Sequence, residues 1–254
     1  AAKSPRRIPA DRGVKNPDAG RTMTDSPRSR IFARVSRAQS EVDAATISRE
    51  LESMGNAPSA DLPAPDMSTA FLANVLKNQG TVDCAANRSS AVKAVAEYLY
   101  RHFRSHRLVA GNDPHLAAMP WREAGVLPRF GSVEPGEAVS LSYALLGVAE
   151  IGAIVTTTGK ANPAANNLLS EHHLVMVDSS RLVRDMEGAW ERIRRDTAKS
   201  GWPRGINFIA GPSITADIEG KLVYGAHGPR QWHVILIGDV PATALEEARA
   251  LAGR

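Results

Sequence analysis

Apolar residues recur in the first part of the chain at spacings typical of helices. Charged residues separate them between 31 and 54, and Gly55 ends the pattern. Asp66 or Ser68 is expected to cap the next helix. The apolar positions of the first pattern are Ile31, Val35, Val42, Ile47, Leu51 and Met54. We therefore expect residues 31–80 to be N-terminal helices that pack on a core.

After residue 80, short apolar runs alternate with amphipathic stretches, and the runs are typical of buried strands. The expected strands are 81–86, 106–110, 139–143, 151–157, 173–177, 206–210 and 233–237. This alternation predicts an α/β fold over 81–254, with a mostly parallel sheet and helices on both faces. Ligands of such sheets bind at the carboxyl ends of strands, which draws attention to the loops after Tyr143, Thr157 and Ala210.

Charge divides the chain into a basic start and a mildly acidic remainder. Residues 1–37 hold ten Lys/Arg and three Asp, and the rest of the chain holds 21 Lys/Arg and 24 Asp/Glu. Residues 1–30 are rich in Arg and Pro and poor in large apolar residues, so we expect a disordered basic tail. The tail is either a solvated leader or an arm that binds nucleic acid or a partner. The folded part is not expected to bind nucleic acid, because it lacks the positive charge.

Composition also excludes several classes of protein. No apolar run approaches the roughly 20 residues that span a bilayer, and the start lacks a secretory segment, so we expect a cytoplasmic protein. The one cysteine, Cys84, excludes a disulfide framework and lies in an apolar run typical of a core residue. No glycine-rich nucleotide-binding motif occurs, and no close pair of ligands suggests zinc, so neither a cofactor nor a metal is expected.

Turn-forming and reactive side chains are densest between 209 and 237. If Ser213 or Thr215 begins a helix, the free N–H groups of its first turn would bind an anion, and Gly211 would let the ligand approach. The alternative is a plain helix cap made by the same hydroxyl groups. The charge of Asp217 is either stabilised by the positive end of this helix, or Asp217 forms a catalytic pair with a nearby carboxylate.

The second half of this stretch and two sites outside it supply further candidates. Glu219 lies on the same face as Asp217 if the segment is extended. His227 lies between glycines in a tight loop that fits a general base or a loop residue, and Arg230 fits an anion ligand or a surface charge. Glu150 follows an apolar run and is either paired with a cation or functional. His173 and its neighbour, His172, would point to opposite faces of a strand, so the two cannot chelate together.

These residues form two predicted sets. The predicted catalytic residues are Glu150, His227 and Glu219. The predicted ligand-binding residues are Gly211, Ser213, Thr215, Asp217, Arg230 and His173. Three asparagines, Asn162, Asn166 and Asn167, are expected either to contact a polar ligand or to form turns.

A long segment of the chain resembles a known family. GPSITADIEGKLVYGAHGPRQWHVILI resembles the C-terminal signature of the LUD-domain proteins, specifically the lactate utilization protein C group. VAEIGAIVTTT and EHHLVMVD resemble other segments of that family, and MTDSPRSRIFARV resembles its opening helix. The resemblance covers about residues 23–239.

The resemblance implies both a fold and a pathway. Residues 81–254 would be a LUD core similar to the ribose-phosphate isomerase and CoA-transferase superfamily. The protein would be the cluster-free subunit of a system that oxidises L-lactate to pyruvate beside iron–sulfur partners, binding a small anionic metabolite at the 211–217 turn. Two alternatives stay open. One is a non-catalytic assembly subunit, and the other is an enzyme similar to CoA-transferases or sugar-phosphate isomerases that uses Glu150.

Overall fold

The chain divides into two compact units, Ala1–Pro58 and Ser59–Arg254. The structure is a computed structural model that describes residues 26–38, 43–55, 58 and 61–254, without the side chains at 199, 200 and 218. Most of the predicted basic tail, residues 1–25, lies outside the described residues. Residues 27–30, also assigned to that tail, are instead helical, because Pro27 fits the first turn of a helix.

The first unit contains two short helices, α1 (Pro27–Ala38) and α2 (Ala44–Ser53). The side chain of Asp43 begins α2 by accepting a hydrogen bond from the backbone N–H of Thr46 at 2.7 Å. The apolar side chains that produced the helical pattern are exposed on both helices. They are Ile31, Val35, Ile47, Leu51 and Met54; Phe32 is exposed as well, and Val42 of the pattern lies outside the described residues.

The second unit contains the remaining elements. In chain order they are α3 (Met67–Lys77), β1 (Thr81–Ala85), α4 (Arg88–Phe103), β2 (Arg107–Ala110), α5 (Pro114–Ala117), β3 (Leu127–Phe130), β4 (Val139–Tyr143), β5 (Leu146–Val148), β6 (Ala153–Thr158), α6 (Ala164–Leu168), β7 (His172–Asp178), β8 (Leu182–Val183), α7 (Met186–Ser200), β9 (Gly205–Ile209), β10 (Ile214–Ile218), β11 (Lys221–Tyr224), β12 (Gln231–Ile237) and α8 (Ala244–Ala252). Short 3₁₀ turns occur at Trp121–Ala124 and Ser179–Arg181.

The main sheet has six strands in the order β1-β12-β7-β4-β2-β3, and every neighbouring pair is parallel. Helix α4 packs on one face through Val95 and Leu99, together with Leu141 and Met176 of the sheet. Helices α3 and α8 cover the other face, where Phe71 joins the core. The predicted α/β class, with a mostly parallel sheet and helices on both faces, is confirmed.

A smaller four-stranded sheet has the order β8-β5-β6-β9, and α7 packs on it through Ile193. Its antiparallel pairs, β5 with β6 and β6 with β9, were not predicted. Strands of two or three residues, such as β8 and β5, are too short to show a period in the sequence.

A two-stranded hairpin, β10 with β11, replaces the helix expected after Ser213. Glu219 and Gly220 connect the strands with φ angles of 54° and 67°, the left-handed pair that a tight hairpin turn requires. Cys84 also departs from expectation, because it is exposed on the edge strand β1 rather than buried in the core. Among the described helices, none combines the length and apolar character needed to cross a bilayer.

Candidate functional site

The carboxyl ends of β2, β4 and β7 surround a cleft of about 380 Å³, large enough for a small metabolite. We call it the carboxyl-edge cleft, and its polar walls include Asp113, His115, Tyr143, Asn162, Asp178 and Arg181. Strands β2 and β4 are neighbours, but their following connections lie on opposite faces of the sheet. Parallel sheets characteristically bind ligands where neighbouring connections diverge in this way.

The loop after β2 contributes an acid paired with a histidine. Asp113 begins α5 by accepting from the backbone N–H of His115 at 2.8 Å. The same carboxylate oxygen lies 2.8 Å from Nδ1 of His115. Because a carboxylate only accepts, Nδ1 is the donor in this contact, and Nε2 is the ring nitrogen left for another partner. The imidazole also stacks on Tyr143, with ring centroids 4.6 Å apart and an interplanar angle of 14°, which fixes its orientation.

The ends of β4 and β7 contribute a second pair. The hydroxyl of Tyr143 donates to Oδ2 of Asp178 at 3.2 Å, and the hydroxyl of Ser180 donates to Oδ1 at 3.3 Å. Burial first, and then the charge of Asp178, raise the pKa of Tyr143 to about 12, so the phenol stays protonated at neutral pH. Nη1 of Arg181 lies 3.4 Å from Oδ2 of Asp196 beside this pair.

The connection from β6 to α6 forms the third wall. Nδ2 of Asn162 donates to the carbonyl of Thr157 at 3.2 Å, whereas its buried Oδ1 has no hydrogen-bond partner in the described part of the chain. Gly111 lets this loop approach the loop after β2, since a Cβ there would lie 2.8 Å from the carbonyl oxygen of Ala161. Three separate loops therefore bring polar groups to the same cleft.

A second cavity, of about 760 Å³, lies beside β2 and β3. Its polar lining includes Arg129 and Glu137, which pair with each other, and much of the rest is apolar, including Leu108, Leu127 and Val139. The smaller carboxyl-edge cleft is the better candidate, because polar groups from several strand ends converge on it.

The residues predicted near 213–230 lie at the opposite edge of the sheet. Ser213 joins the loop 225–230, which we call the amino-edge loop: its N–H donates to the carbonyl of Pro229 at 2.8 Å, and its hydroxyl accepts from the N–H of His227 at 3.3 Å. The N–H of Arg230 donates to the carbonyl of Glu171 at 2.8 Å, just before β7 begins. The structure thus brings these predicted residues together at the amino ends of β7 and β12, away from the cleft.

The predicted anion-binding site at 211–217 lacks the helix that it requires. Thr215 and Asp217 belong to strand β10, and Glu219, in the hairpin turn, lies 3.8 Å from the ammonium of Lys221 with both side chains exposed. Gly211 lies against α3, since a Cβ there would be 2.5 Å from the carbonyl oxygen of Asn78. The helix-based mechanism of anion binding was therefore wrong, because a strand presents no row of free N–H groups at its start.

Glu150 is part of the framework of the smaller sheet. Its Oε2 accepts from the backbone N–H of Met186 at 3.1 Å, at the first turn of α7. Asp185 begins the same helix by accepting from the N–H of Gly188 at 2.8 Å. A carboxylate in this place accepts a hydrogen bond from a free N–H, and the positive end of the helix dipole stabilises its charge. Glu150 does not line the carboxyl-edge cleft.

His173 and His172 face opposite sides of β7, as expected, and both are buried. Nε2 of His173 lies 3.1 Å from the hydroxyl of Ser142, which donates to Asn167 at 2.9 Å. Complete burial lowers the pKa of His173 to about 3, so the imidazole is neutral. Nδ1 of His172 lies 2.9 Å from the hydroxyl of Tyr98 instead.

The predicted asparagines serve two purposes. Asn166 accepts from the N–H of Val133 at 2.8 Å and donates to the carbonyl of Gly131 at 2.9 Å, which fixes a loop. Asn167 belongs to the buried network of His173, and Asn162 lines the cleft. Among the described residues, no group of three His, Cys, Asp or Glu side chains could hold a metal ion.

Asp113, His115 and Asp178 line the cleft but were not among the predicted site residues. Their signals were present: each lies at or after the end of an apolar run, and the loops after strands often carry functional residues. What the sequence does not give is that β2, β4 and β7 are neighbours in the sheet, which is what brings the three residues together.

Comparison with known proteins agrees with the fold. The family model "LUD domain" matches residues 138–237, which include β4, β7 and β12. A lactate utilization protein C from Shouchella clausii is 34% identical over 110 residues, which are 42% of this chain and 48% of the relative. Another protein of that name, from Halalkalibacterium halodurans, is 27% identical over 183 residues, 66% of this chain and 80% of the relative. The alignment to the first of these spans about half of that protein's length.

A solved structure shares the fold at low sequence identity. It is the crystal structure of a DUF162 family protein from Deinococcus radiodurans, 18% identical, with a TM-score of 0.52 over 68% of this chain and 96% of that one. Asp113 and His115 precede the stretch that the family model matches, whereas Tyr143 and Asp178 lie within it. From the matched strands and the similar relatives we conclude that residues 138–237 match the LUD domain and that the chain is similar to proteins of the lactate utilization protein C group.

Proposed function

We propose that this protein acts in lactate utilisation and binds a small metabolite of that process in the carboxyl-edge cleft. The names of its relatives from Shouchella clausii and Halalkalibacterium halodurans support the pathway. The observation that carries the site is the convergence of three loops where the connections of β2 and β4 diverge. This site takes the place of the 211–217 turn predicted from the sequence.

In this proposal the protein is the cluster-free member of a lactate-oxidising system and works in the cytoplasm beside iron–sulfur subunits. Its single cysteine supports the first part, because iron–sulfur clusters are typically held by several thiolates. The partners would carry the redox groups, and this chain would hold the small anionic metabolite.

Two measurements test the proposal. Deletion of the gene should abolish growth on L-lactate but not on glucose, and the intact gene should restore it. Purified full-length protein should bind L-lactate or pyruvate in calorimetry. Normal growth of the deletion strain on L-lactate would exclude the pathway, and binding that persists unchanged in an Asp178→Asn Arg181→Gln double variant would exclude the cleft.

A second candidate function, a non-catalytic assembly subunit, is favoured by the first unit of the chain. Its two described helices expose large apolar side chains, with exposed fractions of 57% at Phe32, 61% at Leu51 and 79% at Met54. Large exposed apolar side chains that lie together are typical of surfaces that bind another protein.

Complementation separates the two candidates. A Phe32→Ser Leu51→Ser variant should fail to restore growth on L-lactate if the helices dock on a partner, whereas the cleft variants should restore it. The opposite pattern would favour the metabolite site. The enzyme candidate that uses Glu150 as nucleophile has less support, because that carboxylate is bonded to the start of α7.

A further inference from the structure

We infer that the Asp113–His115 pair recognises a hydroxyl group of the ligand, and that the carboxyl-edge cleft therefore selects a small hydroxycarboxylate over phosphate compounds. The inference rests on the proposed function, since it names the ligand class of the same cleft. It goes beyond that proposal by assigning the hydroxyl-accepting atom, Nε2 of His115, and by excluding a class of anions.

The hydrogen-bonding state of His115 is set by its surroundings. The carboxylate of Asp113 holds the proton on Nδ1 at a distance of 2.8 Å, and the stacked ring of Tyr143 limits rotation of the imidazole. In the neutral imidazole the remaining nitrogen, Nε2, is an acceptor, and the ring lines the cleft. A fixed acceptor of this kind binds the O–H of an alcohol.

The cleft as a whole offers more acceptors than donors. The hydroxyl groups of Tyr143 and Ser180 already donate to Asp178, and Nδ2 of Asn162 donates to the backbone. Acceptors remain on Asp113, and Oδ1 of Asn162 is buried without a partner. A ligand with hydrogen-bond donors of its own can pair with these acceptors. A phosphate dianion has only acceptors, and the carboxylates of Asp113 and Asp178 would repel it.

A single negative charge can still be held at one end of the cleft. Arg181 lines it, and the contact of its Nη1 with Asp196 is long, at 3.4 Å. A guanidinium carries five N–H donors, so others can bind a carboxylate of the ligand. The volume of about 380 Å³ limits the ligand to a small molecule. A small molecule with a hydroxyl group and a single carboxylate matches these features.

Calorimetry with the full-length protein tests the inference. L-lactate should bind about tenfold or more tightly than propionate, which has the same carboxylate without the hydroxyl, because a hydrogen bond is lost. Inorganic phosphate and 3-phosphoglycerate should bind more weakly than L-lactate. The His115→Phe variant keeps a ring to stack on Tyr143 but lacks Nε2, so it should bind L-lactate and propionate about equally. His227→Phe, the same substitution at the amino-edge loop, should bind like the parent.

The outcomes separate this inference from the proposed function. If the parent binds L-lactate and propionate equally, or binds phosphate more tightly, the hydroxyl-accepting role is overturned while a lactate-pathway role stands. If none of the compounds binds, both the inference and the metabolite part of the proposed function fail. The comparison in the parent protein does not depend on whether the variants fold, and circular dichroism checks them separately.

Discussion

The two edges of the main sheet use similar residues in opposite ways. At the amino edge, Ser213 and His227 are joined largely through the backbone, and the imidazole of His227 is exposed. At the carboxyl edge, His115 is joined to Asp113 through its side chain and stacked on Tyr143 beside a cleft. A histidine in a tight loop is thus a poor guide to a site, whereas a histidine fixed by an acid at a strand end is a better one.

The difference follows from the direction of parallel strands. Their carboxyl ends all lie at one edge, so loops that are distant in sequence meet there. At the amino edge of β7 and β12, the amino-edge loop bonds to Ser213 and to the residue before β7, and these bonds satisfy backbone groups. We therefore expect substitutions at the amino edge to change stability, and substitutions at the carboxyl edge to change ligand binding.

The largest expected effect is a loss of stability at low pH, caused by the buried histidines at the start of β7. Burial lowers the pKa of His173 from 6.5 to about 3, and burial followed by the charge of His102 also lowers that of His172. The unfolded chain binds these protons below pH 6.5 and the folded chain does not, so stability falls as the pH falls through this range. His173 alone should remove roughly 3 kcal/mol of the unfolding free energy between pH 7 and pH 4.5.

Denaturant unfolding at both pH values measures this loss. The His173→Gln variant should lose less stability on acidification than the parent, even if it is less stable at pH 7. His227→Gln gives the background effect of the same substitution at an exposed position. An equal acid-induced loss in the His173→Gln variant and the parent would show that His173 is not the source.

The fold was predictable from sequence where strands are long and apolar. The runs in β7 and β12 each span seven residues and are buried, so their pattern identified them. The hairpin 214–224 was mistaken for a helix start because Ser213 and Asp217 suit a helix cap as well as a turn. The neglected signal was Glu219-Gly220, where a glycine follows a residue that must adopt a positive φ.

The site was less predictable because it depends on the order of strands in the sheet. The loops after Tyr143 and Thr157 were singled out, and both line the carboxyl-edge cleft. Asp113 was not predicted as a site residue, since nothing local shows that β2 pairs with β4 through Ala110 and Leu141. That pairing joins segments about thirty residues apart, and its energy comes from long-range packing rather than local propensity.

Two glycine-to-alanine substitutions, one at each edge, are expected to have effects of intermediate size. Gly111→Ala places a Cβ 2.8 Å from the backbone oxygen of Ala161, so the two cleft loops must separate, at a cost of about 2 kcal/mol. Gly228→Ala places a Cβ 3.2 Å from the Cβ of Ser213. This contact is looser, so its cost should be well below that of Gly111→Ala after the entropic gain of alanine.

Thermal unfolding and L-lactate calorimetry distinguish these two variants. Gly111→Ala should unfold at a lower temperature and bind L-lactate more weakly, because the walls that hold Asp113 and Asn162 move apart. Gly228→Ala should leave both properties near the parent values. Weaker binding by Gly228→Ala at unchanged stability would contradict the assignment of function to the carboxyl edge.

The smallest expected effects come from substituting two tyrosines, one at each edge of the main sheet. Tyr143→Phe removes the donor to Asp178 at 3.2 Å, and Tyr98→Phe removes the hydroxyl 2.9 Å from Nδ1 of His172. Each should cost about 1 kcal/mol of stability, the usual value for one hydrogen bond. Only Tyr143→Phe should also weaken L-lactate binding, because the carboxylate of Asp178, which faces the cleft, then has one hydrogen bond fewer and repels the ligand's carboxylate more strongly. Equal binding by both variants would mean that the Tyr143–Asp178 pair is structural, and would leave the Asp113–His115 pair alone to distinguish the two edges.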